Sequence, residues 1–201
     1  RDAFDVTRHG GSDVFLTKLD GNLTRLIAST FLGGSSDDYA HSIALGTSGI
    51  FLYVTGGTTS SDFPTTPGAF CASYKDTDAF VAKLNSNLTL LLTSTYLGGD
   101  NKDYGVSICL DAEKNVVVCG DTCSPDFPVT PDGYDRTFNG GFGDVFLSKF
   151  NSDLSKLLAS TFLGGATDDS VHSSAIDQKG NIYVTGQTES LDFPATPHAY
   201  S

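Results

Sequence analysis

Asp13-Val14-Phe15-Leu16-Thr17-Lys18-Leu19 returns as Asp78-Ala79-Phe80-Val81-Ala82-Lys83-Leu84 and again as Asp144-Val145-Phe146-Leu147-Ser148-Lys149-Phe150, at steps of 65 and 66 residues. A fixed period of this length marks a repeat architecture, in which one supersecondary unit recurs and buries its apolar faces against its neighbours. Other markers keep step. Ser29-Thr30-Phe31-Leu32-Gly33-Gly34 recurs at 94–99 and 160–165, and Asp62-Phe63-Pro64 at 126–128 and 192–194. The array divides into residues 1–12, the end of a preceding unit, and three repeats over 13–77, 78–143 and 144–201.

Within each unit the apolar, β-branched and aromatic runs are short and punctuated by Gly, Asn, Asp and Pro, the pattern of strands joined by turns. In the first unit four strands are expected, over 14–19, 26–32, 41–45 and 51–56. The last two are joined by a hairpin, clearest in the third unit, where Asp177-Gln178-Lys179-Gly180-Asn181 puts Gly where the loop needs a positive φ. Val14, Phe15, Leu16 and Leu19 make the strands apolar on both faces, so each small sheet needs cover above and below. Four-stranded antiparallel blades packed face to face, an all-β β-propeller, meet that need; a β-solenoid-like stack shares the periodic signature.

The hydrophobic fraction of 39% suffices for a core if the units stack. A net charge of −12 opposes binding to nucleic acid or insertion at an anionic membrane surface, and suits an exported protein. No apolar run approaches the ~20 residues of a membrane span. Met is absent, as expected of a piece of a longer product.

The runs 78–84, 94–99, Asn181-Ile182-Tyr183-Val184-Thr185-Gly186 and Ser61-Asp62-Phe63-Pro64-Thr65-Thr66-Pro67-Gly68-Ala69-Phe70 together resemble the bacterial SBBP repeat, named for a seven-bladed β-propeller. The resemblance spans essentially the whole chain. It implies a propeller in exported or cell-surface proteins without an established enzymatic activity. The second unit departs from the pattern at Asp100-Asn101-Lys102 and at Cys119-Gly120-Asp121-Thr122-Cys123, which weakens any function repeated in every unit.

Residues present in every unit are first explained by turns and sheet contacts. Asp62, Asp126 and Asp192 precede Phe-Pro, where Asp accepts from backbone amides two residues on and the ring plugs the gap between sheets. Asp37, Asp38, Asp103, Asp168 and Asp169 in the Gly-Gly loops are calcium candidates, since clustered carboxylates suit a hard cation. Lys102 stands against one site per unit. His41 and His172 share a column with Val106 and are expected to be half-buried packing groups. No catalytic template is present, so no catalytic residue, cofactor or enzymatic activity is expected. Carboxylates on a propeller channel leave a hydrolase or lyase as one alternative, and a glycan-binding module is another. Against the latter, Phe70, Tyr134 and Tyr200 form one aromatic column expected to pack, and Trp is absent.

Cys109 and Cys119 fall on the hairpin around Asp111 and Asn115, diagonal on one face, which suggests a Cys109–Cys119 bridge; Cys71–Cys123 would then tie the entry of the second unit to its exit. Zinc held by Cys109, Cys119 and Cys123 is the rival. Asn22-Leu23-Thr24 and Asn87-Leu88-Thr89 are N-glycosylation acceptors if the chain traverses a eukaryotic secretory route. Asp2-Ala3-Phe4 matches Ala199-Tyr200, so the array reads as continuing. Further repeats or another copy of the chain should complete it, most simply as a six-bladed dimer. The expected role is an extracellular or cell-surface structural, adhesion or assembly scaffold acting through protein or surface contacts.

Overall fold

The computed structural model describes residues 3–46 and 49–199. Its regular structure is β1 (Val14–Leu19), β2 (Leu26–Leu32), β3 (Asp38–Leu45), β4 (Phe51–Thr58), β5 (Asp78–Asn85), β6 (Leu91–Leu97), β7 (Asp103–Leu110), β8 (Val116–Thr122), β9 (Asp144–Phe150), β10 (Leu157–Leu163), β11 (Asp169–Ile176) and β12 (Ile182–Thr188). No helix occurs among the described residues, and none is therefore long and apolar enough to cross a membrane. The fold is all-β, with three repeats of four short antiparallel strands, as the periodicity requires.

The blades do not coincide with the sequence units. Two four-stranded sheets, β3-β4-β5-β6 and β7-β8-β9-β10, each take their first pair of strands from one unit and their second pair from the next. Two half-blades, β1-β2 and β11-β12, flank them. Connection length sets this phase. The five-residue stretch 33–37 carries the chain from β2 into the neighbouring sheet, whereas the long loop between β4 and β5 returns to pair antiparallel, Thr55 opposite Val81, in the same sheet.

β7 lies between β3 and β11, and these first strands form the inner edges of the blades. Each carries a one-residue bulge, at His41, Val106 and His172. A bulged residue is left out of the ladder, and the glycine across from the bulge is constrained in turn. A Cβ on Gly56, Gly120 or Gly186 would lie 1.8, 1.9 or 2.0 Å from the carbonyl oxygen of Tyr39, Tyr104 or Ser170.

Three apolar layers separate the sheets. Val14, Leu16 and Leu32 pack on Val54, Phe80 and Leu84; Tyr53, Val81 and Leu97 pack on Ile108, Val118, Phe146 and Phe150; Cys119 and Val145 pack on Val171. The Asp-Phe-Pro loops close the layers from outside, with the Phe63 ring tilted 34° at 4.5 Å from Phe80 and Phe127 stacked 4.4 Å from Phe146. The turn after the first strand of each unit is built by Asp20, Asn85 or Asn151 accepting from the amide four residues on, with Leu23, Leu88 and Leu154 at φ near +60°. Gly180 adopts φ +84° in the hairpin loop, as its position in the sequence requires.

Candidate functional site

Each Gly-Gly turn is tied by carboxylates. Asp62, Asp126 and Asp192 accept from the amides of Ser35 (2.8 Å), Asp100 (2.8 Å) and Ala166 (2.9 Å), bracing the Gly-Gly turn more than twenty residues upstream instead of an amide two residues on. Long-range acceptance wins because the Asp-Phe-Pro loop folds over that turn when its ring enters the core. Asp38, Asp103 and Asp169, at the starts of β3, β7 and β11, are buried and accept from the amides of Gly34, Gly99 and Gly165 at 2.7–2.8 Å. Ser60, Ser124 and Ser190 donate to the same Oδ2 atoms.

The five calcium candidates separate into two roles. Asp37 and Asp168 face Gly11 and Gly141 in the preceding connection, and the amide of Phe142 donates to Asp168. Asp38, Asp103 and Asp169 turn inward and meet carboxylates of a different column: Asp13, Asp78 and Asp144, from the first strand of each unit. Sequence reading missed this pairing because the partners lie about 25 residues apart in neighbouring sheets. Burial raises Asp78 and Asp144 to about 6 and Asp103 to about 7, and raises Asp38 as well. No group of three or more His, Cys, Asp or Glu side chains converges among the described residues.

His41 and His172 are exposed rather than half-buried; each is the bulged residue of its inner strand, as is Val106, which is half-buried. His41 Nδ1 lies 3.0 Å from the Gly105 carbonyl, and both imidazoles bear electrostatically on Asp121, which burial raises and which accepts from the Val171 amide at 2.8 Å.

All four cysteines are free thiols. Cys109 does lie opposite Val117, with Cys119 opposite Ser107, as the hairpin register requires. Ser174 of β11 inserts its hydroxyl at this point, 3.6 Å from Cys109 Sγ. Cys71 points to the Ser73 carbonyl beside the Phe63 layer, whereas Cys123 lies near Gly143 in the next junction, so neither expected bridge forms. Burial raises Cys109, Cys119 and Cys123. Asn22 and Asn87 are both exposed on the loop after the first strand. Phe70 packs on Phe150 as expected, but Tyr134 is 74% exposed; Asp2 and Tyr200 lie outside the described residues.

The half-blades depart from a closed surface. Phe15, Leu19 and Leu23 are 70, 49 and 77% exposed, while their counterparts Phe80, Leu84, Leu88, Phe146, Phe150 and Leu154 are at most 1% exposed. At the other end Tyr183 is 59% exposed where Tyr53 and Val117 are sealed. The same side chains in the same column are thus core in a full blade and surface in a half-blade.

Residues 160–194, from β10 through the last Asp-Phe-Pro loop, match the family model of the SBBP beta-propeller repeat. The chain carries an SBBP repeat. The Ser-Thr-aromatic-Leu-Gly-Gly turn and the Asp-Phe-Pro loop that bound this match also stand at 29–64 and 94–128, and the same amide-to-Asp brace recurs there. No curated protein matches the chain.

Proposed function

We propose that this SBBP-repeat protein is a non-catalytic extracellular or cell-surface scaffold that assembles through its half-blades. The observation that carries this reading is the column comparison: Phe15 and Tyr183 are open where Phe80 and Tyr53 are sealed. The two open ends are complementary. Among the described residues β11-β12 is an inner pair without outer strands, and β1-β2 an outer pair without inner strands. A β12 edge meeting a β1 edge would form the order β11-β12-β1-β2, which is the blade pattern of β3-β4-β5-β6. The partner is therefore another repeat of the same kind, from the same polypeptide or from another copy. The net charge of −12 supports a solvent-facing binding role.

Light scattering at micromolar concentration tests the assembly. The chain is expected to associate, and Phe15→Asp to abolish association while keeping the β-sheet spectrum. A wild-type chain that stays a stable 21.2 kDa monomer would overturn it. Saturable turnover lost on a single Asp substitution would overturn the non-catalytic reading.

A glycan-binding role has one specific observation behind it. Two clefts of about 340 and 370 Å³ repeat at equivalent places, one lined by Phe4, Gly33, Gly34 and Asp62, the other by Tyr134, Gly164, Gly165 and Asp192. A glycan array with Tyr134→Ala as the control separates this role from scaffolding alone.

A further inference from the structure

We propose that two junctions between neighbouring blades each bind a calcium ion, one between Asp78 and Asp103, the other between Asp144 and Asp169. Asp78 begins β5 in one blade and Asp103 begins β7 in the next; Asp144 begins β9 and Asp169 begins β11 of the following half-blade. All four carboxylates are at most 3% exposed. In Asp78 and Asp144 one oxygen is fixed, accepting from the amide of Lys75 (2.9 Å) or Asn139 (2.6 Å). The other, Oδ1, is buried with no hydrogen-bond partner.

That open oxygen faces a defined place. A Cβ on Gly98 would sit 2.2 Å from Asp78 Oδ1 and 2.6 Å from Asp103 Oδ2; one on Gly164 would sit 2.7 Å from Asp144 Oδ1 and 2.9 Å from Asp169 Oδ2. Two carboxylates from adjacent blades therefore close on the same glycine, Gly98 or Gly164, whose lack of a side chain is what lets them approach. Among the described residues no salt bridge reaches these four carboxylates. Lys75, the nearest in sequence to Asp78, turns away to pair with Asp100. Burial strips these carboxylates of solvation, which raises the proton affinity of Asp78, Asp103 and Asp144; a hard dication relieves that deficit and takes oxygen ligands. Main-chain carbonyls and water would complete the shell, so the affinity expected is that of extracellular calcium modules, with Kd of roughly 0.1–1 mM.

The first junction differs. Asp13 spends both oxygens on the amides of His9 and Gly10, and the Thr58 hydroxyl donates to Asp38, so no open oxygen remains there. Two ions per chain, not three, are expected.

Calorimetric titration of calcium into the chain at about 0.15 M salt, followed by thermal melting, tests the site. Two saturable equivalents and a rise in melting midpoint are expected. Asp78→Asn should reduce the stoichiometry to one, and Asp78→Asn with Asp144→Asn to none. Asn preserves the shape and removes a buried charge, so these variants fold, and melting in chelator verifies that they do. Absence of saturable heat and of a midpoint shift at several millimolar calcium would overturn the proposal. So would equal binding by wild type and the double variant, the outcome expected if calcium only screens the acidic surface.

Discussion

Asp78 and Asp144 show how little of a residue's role its neighbours in sequence reveal. Each opens a strand, Asp78 between Thr77 and Ala79 and Asp144 between Gly143 and Val145, and its partner arrives from the next blade; no local pattern announces the pair. The Asp38, Asp103 and Asp169 column was legible as special, while the identity of its partners depended on which sheets adjoin. Their pH behaviour follows from burial. With the folded values of Asp78 and Asp144 raised to about 6 from 3.8, both groups keep a proton in the fold that the unfolded chain has released. The stability they contribute is complete below about pH 4 and is lost as pH rises through 6, on the order of 2 kcal/mol each. In chelator, Asp78→Asn with Asp144→Asn should melt higher than wild type at pH 8, by roughly 5 °C or more, and match it at pH 4. A wild-type midpoint that climbs in parallel with that of the double variant from pH 4 to 8 would contradict the assigned burial effect.

At the scale of the element, strand positions and the hairpin loops were readable because alternation and turn residues are local properties. The phase of the blade was not. A period of four strands can be cut between any two of them, and only the contrast between the short crossing at 33–37 and the long return loop before Asp78 decides the cut. The bulge at His41, Val106 and His172 was hidden for a related reason: an unpaired residue accepts His or Val alike, so the column looks like tolerant packing. The plugging role of the Asp-Phe-Pro ring was legible, and it can be measured against an internal control. Phe63 and Phe127 are 2% exposed, whereas Phe193 closes a half-blade and is half-buried. Phe127→Ala should cost about 3–5 kcal/mol by leaving a cavity between two full layers. Phe193→Ala should cost well under half as much, because its layer is open. Chemical denaturation of the two variants checks this, and equal losses would show that the ring acts only within its loop.

For the whole molecule, the decisive property is that the two open ends differ. An isologous contact would join like surfaces, whereas an inner pair of strands completed by an outer pair is heterologous, and a heterologous contact closes into a ring only if the geometry permits. The register of the full blades specifies the contact. In β4 and β5, Gly56 lies opposite Phe80, and in β8 and β9, Gly120 lies opposite Phe146. The equivalent pairing places Gly186 of one copy opposite Phe15 of another. Each junction then uses the β11-β12 end of one copy and the β1-β2 end of the next, so Phe15→Asp and Tyr183→Asp should each abolish association alone. A mixture of the two variants behaves differently. The Phe15→Asp chain retains an intact β11-β12 end, the Tyr183→Asp chain an intact β1-β2 end, and together they form one wild-type junction. Light scattering should therefore recover a species of twice the chain mass in the mixture and in neither variant by itself. An isologous interface through β1-β2 would instead leave Tyr183→Asp fully associated and give no rescue on mixing, and that result would exclude blade completion between copies.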